Sequence, residues 1–583
     1  VNDTSLAFYE RGGRTQPPST SAPDTGRLTA SRRRTLAEAG AVLAGTLLVG
    51  ARASGLGQWI VDDAAVTYAY ARSADEGLGL VQQAGAAPVE GYSNPAWLAL
   101  LVVGRRIGLF DHGTLFGVSD LAFFPKVLAL LCVAGILACV ATTARTVVPA
   151  RAWVVTLLTG GALAANLSFV AWSFSGLENP LYGLAAAGVG AVLVRGAVRD
   201  TLTRPRTAAT AAAIALAAAL TRPDGAVLAL AHPLAVLLLL RRDGVVASVR
   251  AVGVGAAVFA VPYSAFLLAR HAVFGLWVPN TAVAKAQSAP ELSQLARSGD
   301  LLVYGGWALC LVGAATTGVV LARPGSGPAR RALATLLVPL ALTLLSYGVL
   351  GQDWMPLHRF ATPVWVLGTT VVVLSAVAVW QGERPRGRAV LACVLVGACV
   401  LALTGQDERN RGFTREPTLS MCFVADRFGR TFNSYADRLG LPAGATLAMS
   451  DLGGTLLTSR LRVIDLAGLT DRRIAAAYAA GDPRALRSYV LREVRPDLMH
   501  VHRAWVWKTG LTADRLKAAG YEPLYRQEDG GDYVRTAAVG DPGRIPGVRA
   551  WARPRLDRMI EQKQHGGRLG GCGGRLTVGQ ELS

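Results

Sequence analysis

Charge is scarce in this chain. Only 17% of its 583 residues are Asp, Glu, Lys or Arg, while 52% are hydrophobic. An ordinary soluble domain carries about 25% charged residues, so a soluble class is excluded for most of the length. Acidic residues are the scarcer sign, 39 against 59 basic, and the formal net charge is +20. Such an excess raises the question of nucleic acid, but the arginines form no stripe interleaved with aromatics, so no nucleic-acid partner is expected. They gather at the ends of apolar runs, as the positive-inside rule requires of a membrane protein. Cysteine is also sparse. Of the seven, Cys132, Cys139, Cys310, Cys393 and Cys399 lie inside apolar runs. There is no C-x-x-C spacing, which excludes the common cysteine metal sites, and the scatter predicts no disulfide framework. No internal repeat is visible.

Long apolar runs are what the chain has in abundance. Residues 1–34 are polar and end in Arg32-Arg33-Arg34, which predicts a disordered cytoplasmic tail. A signal peptide is disfavoured because the basic run comes late and no small-residue cleavage site precedes a soluble domain. Spanning segments are expected at about 37–57, 123–144, 152–170, 180–194, 207–221, 225–240, 247–270, 301–322, 330–350, 362–380 and 388–405. Arginine clusters occupy alternate connections: Arg145 and Arg151; Arg195 to Arg206; Arg241, Arg242 and Arg250; Arg323 to Arg331; Arg384 to Arg388. All are cytoplasmic if the N-terminus is. Residues 94–110 break the alternation, since Arg105 and Arg106 interrupt an apolar run. They are expected to lie as an interfacial helix on the outer surface, with a re-entrant hairpin as the alternative. The sequence thus predicts a polytopic α-helical membrane protein of about 11 transmembrane helices, occupying residues 35–405, in the plasma membrane.

After residue 406 charge rises and turn residues return. Short strands are expected at 446–451, 461–468 and 497–502, with helices at 484–494 and in LTADRLKAAG, closed by Gly520. Residues 406–540 therefore read as an extracytoplasmic α/β domain, and the Gly- and Arg-rich residues 541–583 as a second disordered tail.

The connections without arginine clusters each hold a polar motif: Asp62-Asp63, EGYSNP (90–95), SGLENP (175–180), TRPDG (221–225), PNTAVAK (279–285) and GQDWMPLHRF (351–360). Charge at the end of a span is costly unless it is used. Carboxylates and bases converging on one membrane face fit a site for an anionic lipid phosphate and a sugar. Lys285, Arg222, Arg359 and His358 are the candidates for the phosphate, Arg through its planar fork. Asp62 or Asp63 is the candidate base for an acceptor hydroxyl, the other orienting it or holding a divalent cation such as Mg, Mn or Ca. Glu90, Tyr92, Asn94, Glu178, Asn280, Asp353 and Trp354 are candidates for sugar or acceptor contacts, and Tyr68 for stacking. Each motif also has a structural reading. The Asp pair can be a solvated helix end. TRPDG can be a tight turn, with Arg222 paired to Asp224. SGLENP can be a capping box from Ser175 to Glu178. Trp354 can sit in an interfacial belt, and His232 reads as structural.

The ordered set DDAAVTYAYARSADEGLGL, EGYSNPAW, SGLENPLY, ALTRPDG, VPNTAVAK and GQDWMPLHRF, with the later VIDLAGLTDRRIA, resembles the GT-C superfamily of membrane glycosyltransferases. More narrowly it is similar to the actinobacterial terminal β-arabinofuranosyltransferase (AftB-like) family of cell-wall assembly. The resemblance covers about residues 35–540. It implies inverting transfer from a polyprenyl-phosphate sugar, decaprenyl-phosphoryl arabinofuranose, to the end of an arabinan of arabinogalactan or lipoarabinomannan. It also implies that Asp62 and Asp63 match the catalytic acidic motif, Asp63 being the favoured base. Two departures stand out: Ala64-Ala65-Val66-Thr67-Tyr68 replaces the aromatic-rich continuation, and Glu178-Asn179 replaces Glu-Thr. A different sugar, such as mannose, remains an alternative. So does a transporter or flippase of lipid-linked sugars, although the two related halves of many transporters are not seen.

Overall fold

The computed structural model describes residues 25–240, 244–285, 292–325, 327–350, 353–564 and 571–582. Among these, seven helices are long and apolar enough to cross a membrane: Arg32–Ser54, Asp120–Val147, Asn179–Val198, Val245–Phe274, Gly327–Val349, Arg359–Gly382 and Pro385–Asp407. Two further pairs are broken helices, Pro149–Ala165 with Leu167–Ser173 at 82°, and Gln294–Gly305 with Trp307–Ala322 at 100°, giving up to nine spans. The remaining two segments of the expected eleven are shorter. Pro205–Thr221 has 17 residues, and Pro223–Leu238 is a short apolar helix that begins as a 3₁₀ turn.

The surface explains why these helices belong in a bilayer. Val246, Val261 and Leu268 on Val245–Phe274, and Val396, Val400 and Leu401 on Pro385–Arg415, are all exposed. Apolar surface on this scale is not left to water. Helix Pro95–Arg106 has 12 residues, about 18 Å of rise, too short to cross. Arg105 turns inward from it, paired with Asp75, Glu76 and Asp111, while Arg106 stays exposed.

A small hairpin, β1 (Thr114–Leu115) and β2 (Val118–Ser119), precedes the second long helix. The C-terminal part carries a five-stranded sheet: β3 (Thr446–Met449), β4 (Arg462–Asp465), β5 (Leu498–His502), β6 (Tyr521–Gln527) and β7 (Gly530–Arg535), in the order β4-β3-β5-β7-β6. β4, β3 and β5 are parallel, and β7 and β6 continue antiparallel.

The two parts share one core. Trp59, Tyr68, Trp172 and Trp365 from the helical part belong to the same buried cluster as Met421, Phe432, Tyr435, Leu447 and Leu498. Backbone pairing joins them as well. Asp62 N–H donates to Leu419 O at 3.0 Å and Met421 N–H to Ile60 O at 2.9 Å. The Trp59 indole donates to Thr418 O at 2.8 Å. The segment arriving from the last long helix therefore lies along the residues that enter the Asp62-Asp63 motif.

Both ends of the chain correct the sequence reading. Residues 1–24 of the expected N-terminal tail lie outside the described residues, and helix Thr25–Ser54 takes up the rest of it. The expected C-terminal tail contains helix Arg544–Gln564. A strap at 571–582 follows, bound through a Cys422–Cys572 disulfide, Gly579 N–H to Thr458 O and Arg72 to Leu576 O. Val548, Ala552 and Leu556 are buried at helical spacing, so an apolar stripe was present, thinned by arginines. The disulfide joins residues 150 apart in sequence, which spacing alone does not reveal.

Candidate active site

Helix Asp62–Asp75 begins on the motif itself, and its first two residues part company. Asp62 is buried and turns toward the C-terminal domain. Its Oδ1 accepts from Gly454 N at 2.7 Å and its Oδ2 from Gly453 N at 3.0 Å. Burial raises its pKa well above the carboxylate range, against the pull of the Gly454 and Gly453 amides. Asp63 faces the other way, into a cavity of about 170 Å³. Its side chain is 33% exposed, with Arg359 Nη1 at 3.7 Å from Oδ2. Consecutive helical residues point about 100° apart, and that rotation separates the two roles.

Three cations line the same cavity: Arg222, Lys285 and Arg359. Arg222 donates to Glu178 at 3.0 Å and to Asp224 at 2.9 Å. Burial disfavours its charge, but Asp224 and Glu178 outweigh this and raise its pKa. Arg222 closes its own turn through Asp224 and also lines the cavity. Gly225 is required there, because a Cβ would lie 2.3 Å from Ala218 O. Arg359 is ion-paired with Asp353 at 2.6 Å. Leu357 and His358, both at positive φ, redirect the chain just before it. The Phe360 ring lies against both guanidiniums, 4.4 Å from Arg222 and 4.8 Å from Arg359. Lys285 makes no ion pair within 4.0 Å among the described residues, and its side chain is exposed to the cavity.

Tyr92, Asn94 and Glu178 line the cavity with them. Asn94 bridges two elements, accepting from Thr67 Oγ1 at 3.2 Å and donating to Glu178 at 2.8 Å. The capping box expected in SGLENP does not form. The helix begins at Asn179, and the Glu178 carboxylate is taken up by Arg222 and Asn94 instead.

Other expected site residues lie elsewhere. Glu90 is buried against Arg270 at 2.7 Å and does not line the cavity. Asn280 is buried and donates to Gly468 O and Leu469 O, joining its loop to the C-terminal domain. Asp353 does not line the cavity and is ion-paired with Arg359, which does. Trp354 is 66% exposed and away from the cavity. Tyr68 is buried in the core, edge-on to Phe110. His358 lines a separate cavity of about 570 Å³ with Tyr304, Phe413 and Glu416. His232 is buried with Nε2 at 2.9 Å from Leu202 O, consistent with its structural reading. Residues 351–352 of the last motif lie outside the described residues.

The Asp62-Asp63 pair does not fit a divalent cation. Both oxygens of Asp62 accept amides, and the charged group within 4.0 Å of the Asp63 carboxylate is the Arg359 guanidinium rather than a ligand. Sequence reasoning missed Gly453, Gly454 and Phe360. The Gly-Gly pair after Ser450-Asp451 signals a turn, but not its partner 391 residues away.

A family model described as a domain of unknown function (DUF8728) matches residues 424–546, so it bears on the C-terminal domain alone. No curated protein matches the chain significantly. Among solved structures, ArnT from Cupriavidus metallidurans bound to undecaprenyl phosphate aligns with a TM-score of 0.50 at 14% identity, over 89% of this chain and 100% of that one. The archaeal oligosaccharyltransferase AglB from Archaeoglobus fulgidus, in complex with an inhibitory peptide and a dolichol-phosphate, aligns with a TM-score of 0.48 at 10% identity, over 85% and 74%. At these identities the likeness is one of fold. The chain is a polytopic α-helical membrane protein with a GT-C-like fold, to which a C-terminal α/β domain is joined through the Asp62 loop.

Proposed function

We propose that the protein is an inverting glycosyltransferase that uses a polyprenyl-phosphate sugar, arabinofuranose in the first instance, and extends the end of a cell-wall arabinan. The observation that carries this reading is one cavity in which Asp63 stands among Arg222, Lys285 and Arg359. The acceptor hydroxyl gives its proton to Asp63 as its oxygen bonds to C1 of the donor sugar. The C1–O bond to phosphate breaks, and the electron pair leaves with the polyprenyl phosphate. That leaving group is already anionic, so it needs positive charge more than a general acid, and Lys285 with the two arginines supplies it. The lipid tail stays in hydrocarbon while the sugar occupies the cavity. The sugar assignment rests on the ordered motifs, and mannose is the main competitor.

Transfer of label from a radiolabelled polyprenyl-phosphate donor to a glycan acceptor, with purified protein, tests the reaction. Movement of the donor across a vesicle membrane without transfer would establish a flippase instead. Comparing arabinofuranosyl with mannosyl donors settles the sugar.

The active face and the C-terminal domain are placed outside the plasma membrane on the arginine alternation. A cysteine introduced near Arg204 should react only with reagent on the cytoplasmic side. Labelling there from outside would invert most of the connections.

Lys285 is the cleanest probe of the phosphate contact, since removing Arg222 would strand buried Glu178 and Asp224. A hydrogen bond to a charged group contributes about 1.5–3 kcal/mol, so Lys285→Ala should weaken donor binding roughly 10- to 100-fold with the fold intact. The same variant has a pH signature. Burial holds the Asp63 carboxyl above its ordinary pKa, while Arg359 and Lys285 pull it down. A base must be deprotonated, so the rate should rise with pH through that ionisation. Loss of the Lys285 charge should move this acid limb to higher pH. Unchanged donor affinity and an unmoved limb would remove Lys285 from the site.

A further inference from the structure

A second cluster lies in the C-terminal sheet. His500 and His502 are two apart on β5, so they project from the same face. Asp451 follows β3, the parallel neighbour of β5. His500 Nε2 is 2.9 Å from His502 Nδ1, and His502 Nδ1 is 3.6 Å from Asp451 Oδ2. One donor atom from each of the three residues falls within 4.8 Å of the others. Tetrahedral ligands at zinc–nitrogen distances of about 2.0–2.1 Å stand roughly 3.3 Å apart, and the spacings of 2.9 and 3.6 Å fall on either side of that value.

Two independent features single out this cluster. The first is the support behind His500. Its Nδ1 lies 2.6 Å from Asp532 Oδ1, directly across the strand pair. Asp532 is itself fully buried and fixed by Arg427 at 3.0 Å and Tyr435 at 2.9 Å. A carboxylate on one ring nitrogen sets the tautomer and directs the lone pair of the other outward, as for histidines that bind metal. Here that nitrogen faces His502 Nδ1, with a carboxylate oxygen of Asp451 within 4.8 Å. The second feature is the topology. The chain leaves β3 for β4 on one side and leaves β5 for β6 and β7 on the other. The carboxyl ends of β3 and β5 therefore form the switch point where open α/β sheets hold ligands, and Asp451 and His502 stand there. His502 and Asp451 keep 23% and 13% exposure, which leaves a way in.

We propose that Asp451, His500 and His502 bind a Zn²⁺-class divalent cation, with water completing the coordination. Two imidazoles and a carboxylate suit zinc better than the harder Mg²⁺ or Ca²⁺. Asp451 is two residues before Gly453, whose amide holds Asp62. The bound ion fastens this loop and so steadies the docking contact from the domain side. The site stands whether or not the transfer reaction is as proposed.

The test uses the full chain, tag-free and stripped with chelator, titrated with Zn²⁺ and separately with Co²⁺ as a spectroscopic stand-in. One equivalent should bind, with the visible absorption of low-symmetry Co²⁺, and Zn²⁺ should raise the melting temperature. His502→Ala should abolish the Co²⁺ signal and weaken Zn²⁺ binding at least about tenfold, as loss of a ligand should match or exceed loss of its supporting partner. Asp451→Asn, at a more peripheral ligand, should do so with a metal-free melt like that of the metal-free wild type. If the wild type takes up no metal, or if both variants bind as it does, the two imidazoles only hydrogen-bond to each other and the proposal falls.

Discussion

Asp63→Asn is expected to lower turnover by at least about 10²-fold, the lower range of what a positioned general base contributes, and to leave donor binding nearly unchanged. The substitution keeps the size of the side chain and removes its basicity. No buried hydrogen bond is lost, because Asp63 is partly exposed to the cavity and its nearest charged partner, Arg359, is held by Asp353 at 2.6 Å. The fold should therefore persist, and the loss should appear in kcat rather than in the donor Kd. Single-turnover transfer with saturating donor, alongside equilibrium donor binding, separates the two. If turnover stays near wild type, the base lies elsewhere in the cavity, and Glu178 and Asp224 become the groups to examine. A parallel loss of donor affinity would instead make Asp63 part of the binding surface.

The sequence allowed the membrane part to be read because burial in lipid demands long apolar runs, and such runs survive any detail of packing. The motif segments were legible for a similar reason, since polar residues at span ends stand out against 52% hydrophobic composition. What each side chain does was less legible. Glu90 and Glu178 look alike in sequence, yet one is matched by Arg270 and the other lines the cavity beside Arg222. That difference depends on which helix passes nearby, over separations of 180 and 44 residues. Trp354 and Tyr92 divide in the same way, one exposed and one lining the cavity. In the C-terminal domain, Asp465 and Asp471 serve local turns and a helix cap, accepting from Ala467, Thr470, Arg473 and Ile474 amides. Asp451, which also follows a strand, faces two histidines instead. Register across β3 and β5 decides this, and a single sequence does not contain it.

Gly453→Ala should be the most damaging change outside the cavity. The Asp62 carboxylate is tied to the C-terminal domain because the backbone at Gly453 and Gly454 comes within hydrogen-bond reach of it. A Cβ at Gly453 would lie 1.9 Å from the Asp62 carbonyl oxygen and 2.7 Å from Oδ1. The first is a backbone atom and the second is held in place by the Gly453 and Gly454 amides, so the helix carrying Asp63 or the loop carrying Gly453 must move. Overpacking alone costs typically about 1–3 kcal/mol, and each broken hydrogen bond that leaves a buried polar group unsatisfied adds roughly 1–3 kcal/mol. A loss of at least about 3 kcal/mol follows if both amide contacts go. The effect on rate should be larger than stability alone explains, because a displacement of about 1 Å at the reacting groups can cost on the order of 10²-fold. Gly444→Ala is the control, since nothing lies within 4 Å of a Cβ there. Asp62→Asn should fall between them. Its amide still accepts from one glycine but turns an N–H toward the other, weakening the dock without the clash. Measured together, melting temperature and transfer rate should rank wild type and Gly444→Ala first, then Asp62→Asn, then Gly453→Ala. If Gly453→Ala retains full transfer, the domain does not position Asp63, and the contact between Asp62 and the two glycines is structural only.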